Sequence, residues 1–370
     1  MSGYSPLGDH RKLLVILALV CGTNSPSSAQ TTWHVDGPCG NDAWSGLSAI
    51  CQAPDGPKRT IQAGMNLAQT GDTVLVADGT YTGAGNKWLG FPGGQNFLLR
   101  AQNGPQNCCI DLEDSGLAFF LVMDETPEAV VDGFRIIHGD SSAGGAFYIH
   151  HSSQVTIANC ILENNHSYFD GGAILCDDDS SPTLINCVIR RNHTLGNGGG
   201  ISFLSFGHLT LINCAIQGNH AQVDGGGVFL WGSRVDIINS TFVDNLAGGL
   251  GNGIASASEQ ASLVNSIVWG DAREQIVDQT GDLIVMFSDV RGGWPGTGNI
   301  DVDPRFVRPG NIRLRQGSPC IDVGSNAAVP LFLTMDIFGS RRIMDGDLDR
   351  TPIVDMGAVE FGTLPIQVGG

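Results

Sequence analysis

The sequence predicts an all-β solenoid of short parallel strands, and three observations carry that prediction. One phrase recurs: Ile157-Ala158-Asn159-Cys160-Ile161-Leu162 returns as Leu184-Ile185-Asn186-Cys187-Val188-Ile189 and as Leu211-Ile212-Asn213-Cys214-Ala215-Ile216. It then returns as Ile237-Ile238-Asn239-Ser240-Thr241-Phe242 and Leu263-Val264-Asn265-Ser266-Ile267-Val268, its Asn advancing by 27, 27, 26 and 26 residues. Two further phrases keep the same beat, Asp170-Gly171-Gly172 with Asn197-Gly198-Gly199 and Asp224-Gly225-Gly226, and Asn165-His166 with Asn192-His193 and Asn219-His220. Within each unit apolar residues alternate with period two, which is the period of a strand, and no unit has room for an amphipathic helix of about ten residues. Such units, joined by Gly-Gly turns and by the Asp177-to-Pro182 turn, stack coil on coil about 4.8 Å apart. A leucine-rich repeat fits less well, because the leucine spacing is missing and the unit is too long.

Stacking turns each repeated position into a column. Asn159, Asn186, Asn213, Asn239 and Asn265 should lie over one another at a bend, their amides satisfying each other. Cys160, Cys187 and Cys214, continued by Ser240 and Ser266, should form a column of small buried side chains that needs no chemistry. The Gly column suits a turn with positive φ.

Taken in order, Met1 to Ala29 reads as a signal peptide: Arg11 and Lys12 are the charged start, Leu13 to Val20 the apolar core, Ser27-Ser28-Ala29 the cleavage site. The apolar run is too short to span a bilayer. A lipid anchor on Cys21 fits less well, because bulky Val20 precedes it. Thr60 can cap a helix in which Ile61, Met65 and Ala68 share one face, ended by Gly71-Asp72, with Thr73 to Val76 a strand and Asp78 to Tyr81 a turn. An uncovered coil exposes apolar core and strand edges, so an end plug is needed. Gly83 to Gln95 is a loop, and Phe97 to Ile137 gives less regular coils. After Ser266 the coils degrade, with Ile276-Val277 and Ile284 to Phe287 as the last strands. Asp303 begins a different tail.

These phrases resemble a known group. His34-Val35-Asp36, Arg59 to Ala63, Gly71 to Val74 and Gly79-Thr80-Tyr81 resemble the N-terminal segment of secreted right-handed parallel β-helix proteins of the pectate-lyase-like superfamily, in which the helix plugs the open end of the coil. The right-handed sense follows from the resemblance and from the rule for parallel crossovers. Asp303-Pro304-Arg305-Phe306-Val307, Ser318 to Gly324, Asp336, Gly339 to Arg342 and Asp355 to Phe361 resemble the closing module of choice-of-anchor Q proteins. The domain plan is therefore a signal peptide over 1–29, a capped parallel β-helix with about 26–27 residues per repeat over 30–302, and a choice-of-anchor Q-type module over 303–370. In that group an anchoring segment often follows; no apolar tail precedes Gly370, which favours simple secretion.

Composition narrows the partners. The net charge is -18 and only 15% of residues are charged, with a pI near 4.6. That argues against nucleic acid and anionic membrane surfaces. It also argues against bare polyuronates unless Ca²⁺ bridges the two. No transmembrane segment follows the signal. Of ten Cys, loss of Cys21 leaves an odd number, so at least one is unpaired within the chain. Cys39 and Cys51 flank a Gly/Asn/Ser-rich loop and form the best disulfide in an export context. Cys108-Cys109 could pair with others or form a vicinal bridge.

The strand face after each Gly-Gly is the candidate site. If Phe147, Ile174, Ile201, Val228 and Ile254 point inward, Tyr148, Leu175, Ser202, Phe229 and Ala255 point out, as do His150, Asp177, Leu204, Trp231 and Ala257 two residues further on. Tyr148, Phe229 and Trp231, with His150, His151, Asp177, Asp178 and Arg234 nearby, suit a sugar chain: rings stack on apolar sugar faces and polar groups take the hydroxyls. The plainer account is that loops cover the aromatics and Asp177-Asp178-Asp179 is a solvated turn. Catalysis has candidates in Asp177, Asp178 and His150. The paired Asp resembles polygalacturonase-like enzymes, but their Asn-Thr-Asp, Gly-His-Gly and Arg-Ile-Lys motifs are absent. Lyases of this fold use an Arg or Lys base beside Ca²⁺ carboxylates, and Arg190-Arg191 is the basic pair of the repeats, without evident partners. His166, His193 and His220 stack in a line rather than around a point, which disfavours zinc. Asp345, Asp347 and Asp349 open like a calcium loop, although Arg350 and Met356 stand where Gly and Glu are wanted. No cofactor is required by these patterns, and Ca²⁺ is the one ion they suggest. Three readings stay open: a protein binding polysaccharide or a cell-surface glycan, a polysaccharide lyase or glycoside hydrolase, and a structural or adhesive rod.

Overall fold

The computed structural model describes residues 30–270 and 274–362. The predicted signal peptide, with Cys21, lies outside the described residues.

The chain winds as a parallel β-helix. One sheet runs through Thr32–Val35, Thr73–Val76, Leu98–Ala101, Val130–Asp132, Thr156–Ala158 and Thr183–Ile185. A second runs from Gly79–Tyr81 through Ile161–Glu163 and Val188–Arg190 to Asp289–Val290. A narrow third joins Asp140–Ser141, His166–Ser167, His193–Thr194, His220–Ala221 and Leu246–Ala247. The strand face predicted to carry the site is formed by Phe119–Leu121, Phe147–Ile149 and Ile174–Asp177. In the next three coils this face and the first sheet are one continuous bent strand each: Ile201–Ile212, Val228–Ile238 and Ile254–Val264.

The columns form in register. Asn159, Asn186, Asn213, Asn239 and Asn265 all adopt positive φ, between 50° and 56°, a conformation that Asn tolerates better than most residues. Asn213 Nδ2 donates to Asn186 Oδ1 at 2.7 Å, Asn186 to Asn159 at 3.1 Å and Asn159 to Asp132 at 2.7 Å. The ladder breaks at Asn239, whose amide has no hydrogen-bond partner. Cys160, Cys187 and Cys214 are fully buried, each thiol donating to backbone carbonyls. A second ladder lies deeper. Asn165, Asn192 and Asn219 each donate Nδ2 to the Oδ1 of the next Asn, ending on Asn245, at 2.9–3.1 Å.

The end plug is the helix Ile61–Met65, capped by Thr60; it buries Ile61 and Met65 in the core, brings Gly64 against Val35 and Val74, and ends before Ala68, short of the stop expected at Gly71-Asp72. Cys39 and Cys51 are joined in a disulfide. Cys108 and Cys109 are both free; they are neighbours in one strand, so their side chains leave opposite faces.

The tail does not stand apart. Ile312, Ala358 and Val359 pack on Ala215 and Val243, and Leu314, Ile321 and Met356 on Ile267. It therefore covers the outer side of the second sheet. Arg342, buried in this seam, donates to Asp355 O, Gly357 O and Asn213 Oδ1.

Candidate functional site

The inward column is as expected: Phe147, Ile174, Ile201, Val228 and Ile254 are all fully buried. The outward column is not uniform. Tyr148 and Phe229 are half-buried, whereas Leu175, Ser202 and Ala255 are buried despite facing out. The second column is more open: His150, Asp177, Leu204 and Ala257 are half-buried and Trp231 is 45% exposed. From His150 to Trp231 is three coils, about 14 Å.

Two aromatic groups flank this column. Phe120 lies 5.6 Å from Tyr148 and 6.1 Å from Trp88, and Tyr148 lies 5.5 Å from His150. At the other end Phe206 meets Trp231 edge to face at 5.3 Å. Trp88, Phe120 and Phe206 are exposed; the sequence reading missed all three. Phe120 was recoverable, because it sits one coil before Tyr148 in register. Trp88 comes from a loop and Phe206 from a bulge between Ser205 and His208, and neither obeys the repeat.

Between the two groups lies a polar cluster built by two adjacent turns. The Tyr148 hydroxyl donates to Asp177 Oδ2 at 3.2 Å. His150 Nε2 is 3.4 Å from Asp177 Oδ1 and His150 Nδ1 is 3.6 Å from Asp178 Oδ2. The first of these is an ion-pair distance rather than a formed hydrogen bond, since Asp177 Oδ1 has no hydrogen-bond partner. His151 Nδ1 faces His150 Nδ1 in close contact. Burial raises the Asp177 carboxyl above the usual range, against the opposing pull of His150 and the Tyr148 hydroxyl. Burial and Asp177 together push the Tyr148 phenol up to about 12.

Other predicted residues fall elsewhere. Arg234 lies beyond the bend and is committed to Asp236, at 2.9 Å from Nη2. Arg190 is on the second sheet, where it and Arg135 hold the buried Glu163. His166, His193 and His220 stack at 5.2 and 5.0 Å in a line. In the tail, Asp345 and Asp347 converge with Asp322, their oxygens within 4.8 Å of one another; Asp349 is not in that group and accepts instead from Thr351 N. Among the described residues no helix is long and apolar enough to cross a membrane.

A family model described as a right-handed β-helix region matches residues 121–285. Among solved structures, the pectate lyase Pel9A aligns with a TM-score of 0.56 at 15% identity, over 91% of this chain and 98% of that one. A pectin methylesterase from Aspergillus niger aligns with a TM-score of 0.35 at 14% identity, over 75% of this chain and 84% of that one. No curated protein sequence matches. The chain has the right-handed parallel β-helix fold, of the pectate-lyase-like kind.

Proposed function

We propose that this is an exported protein that binds polysaccharide along the open second column of its strand face. The observation that carries the reading is the placement of exposed rings, Phe120 beside Tyr148 and Phe206 beside Trp231, at either end of a row containing Asp177 and Asp178. Rings offer apolar sugar faces a platform, and the carboxylates and imidazoles between them accept and donate to hydroxyls. The likeness to a pectate lyase is consistent with a carbohydrate ligand.

A second reading, hydrolysis, draws on Asp177. A half-buried carboxyl with a raised proton affinity beside a second carboxylate is the pairing that glycoside hydrolysis uses. A lyase reading has less support, because Arg234 is held by Asp236 and Arg190 by Glu163.

One experiment separates these readings. Purified protein is run through gels containing neutral and acidic polysaccharides, and the same mixtures are assayed for new reducing ends and unsaturated uronates. Binding predicts retardation that Trp231→Ala weakens about two- to tenfold, the range of an aromatic contact. New reducing ends that vanish in Asp177→Ala would replace binding with hydrolysis. Neither retardation nor product would leave a structural rod.

A further inference from the structure

We propose that His150, His151 and Asp178 form a binding site for a borderline divalent cation of the Zn²⁺ class, with Asp177 as the residue that orients His150. The site shares these side chains with the glycan row proposed above, but it is argued from their geometry alone and its test reads metal binding without any glycan.

Three donors converge. One nitrogen each of His150 and His151 and one Asp178 oxygen lie within 4.8 Å of one another, and the His150 Nδ1 to Asp178 Oδ2 distance is 3.6 Å. Tetrahedral zinc with bonds near 2.0–2.1 Å places its donors about 3.4 Å apart, which the His150–Asp178 separation meets; the exposed His151 ring stands closer to His150 than that and has to rotate outward to bind. The donor set selects the ion. Two imidazoles and one carboxylate suit Zn²⁺ and its neighbours, whereas Ca²⁺ takes six to eight oxygens. Three protein donors leave one position open. His151 and Asp178 are exposed, so that position faces solvent on the same side as the aromatic rings.

A second observation concerns the ring itself. The Nε2 edge of His150 points at Asp177 Oδ1, 3.4 Å away, and Asp177 is in turn fixed by the Tyr148 hydroxyl at 3.2 Å. A carboxylate on that edge favours the tautomer with its proton on Nε2, leaving the Nδ1 lone pair free. Metal-bound histidines characteristically donate their other ring N–H to a carboxylate, a contact that a small rotation of the His150 ring would complete here. Nothing comparable orients the stacked His193, whose ring neighbours are two further imidazoles. The Nδ1 atoms of His150 and His151 face each other.

The test is titration of the full, chelator-treated protein with Zn²⁺, read by calorimetry, with Ca²⁺ as a separate arm. The expected result is one equivalent of Zn²⁺ bound, at least about a hundredfold more weakly in His151→Asn and in Asp178→Asn. Asn is chosen because both positions have positive φ, which Asn tolerates, and a circular dichroism melt checks that both variants fold. Asp177→Asn should weaken binding about 10- to 100-fold, as loss of an orienting partner does. His193→Asn, in the stacked column, should leave the affinity unchanged. The proposal is overturned if no equivalent binds, or if Ca²⁺ competes at equal concentration. It is equally overturned if affinity survives in His151→Asn and Asp178→Asn, or if it falls in His193→Asn.

Discussion

At the residue scale, the two asparagine ladders do different work. Asn159 is exposed and Asn186 half-buried, and both hold the bend between two sheets through their positive φ. Asn192 is buried, and its Oδ1 accepts from both the backbone and side-chain nitrogens of Asn165 while its Nδ2 donates to Leu162 O and Asn219 Oδ1. Asn192→Ala would strand several buried groups, each costing about 1–3 kcal/mol, so a loss of at least about 3 kcal/mol is expected in urea unfolding. Asp236 supplies a titration. Burial opposes its charge, but His208, Ser262 and Arg234 outweigh burial and hold it at about 2. A carboxyl depressed below its unfolded value contributes stability that is present above about pH 4 and lost as pH falls through about 2. The contribution is about 2 kcal/mol. Wild-type protein should therefore lose about that much more stability than Asp236→Asn between pH 4.5 and pH 2, as read by urea midpoints.

At the element scale, the Gly-Gly turn sets how closely coils approach. The first Gly of each pair has positive φ, 67° at Gly171 and 70° at Gly198. The second has no room instead: a Cβ on Gly199 would lie 2.2 Å from Gly226 O and 2.6 Å from His220 C, both backbone of the coil above. No rotamer relieves that clash, so the two coils would have to part. Gly199→Ala should broaden the thermal transition and open the third sheet first, seen as loss of amide protection at His193–Thr194 and His220–Ala221. Retention of that protection would mean the coil spacing is more compliant than its contacts imply. The same tight spacing explains why the polar cluster forms where it does. The coils of His150 and Asp177, like the one before them between Phe119–Leu121 and Val130–Asp132, keep a turn at this bend; in the next three the strand runs straight through it.

At the scale of the whole molecule, the tail is a cover rather than a separate body. It buries Ala215, Val243 and Ile267, which face outward from the second sheet. Arg342 joins it to the coils. Burial pushes Glu360 up to about 9 and Asp355 to about 7, Arg342 opposing both shifts. Carboxyls raised in the folded state favour folding when protonated, and that advantage is lost as pH rises from about 4 through the folded values. Removing the guanidinium removes the group that limits this loss. Arg342→Met should cost about 3–5 kcal/mol near neutral pH, as breaking a buried pair does. The deficit should be larger at pH 9 than at pH 6 in chemical unfolding, and an equal deficit at both would remove the charge argument.

The repeat was legible in the sequence because stacking in register forces identical demands on successive coils. A bend needs Asn or Gly at one phase, a core needs a small side chain at another, and a linear code records both. The start of the capping helix was legible for a similar reason, since Thr60 and the spacing of Ile61 and Met65 are local, but its end was not: the helix stops at Met65, before Ala68. The site was legible only in part. Tyr148, Trp231, Asp177 and His150 could be placed on one side by counting in twos, with Asp178 only as a neighbour in the turn. Which outward residues stay open could not: Leu175 and Ser202 share the phase of Tyr148 and are buried. Trp88 and Phe206 reach the face from irregular segments. The convergence of Asp322 with Asp345 and Asp347, in place of Asp349, depends on a tail folded back on itself. Local periodicity dictates strand, turn and register, because those are contacts between neighbouring coils. Exposure and the meeting of side chains from different turns depend on loops and tail, which follow no period, and only the tertiary structure decided them.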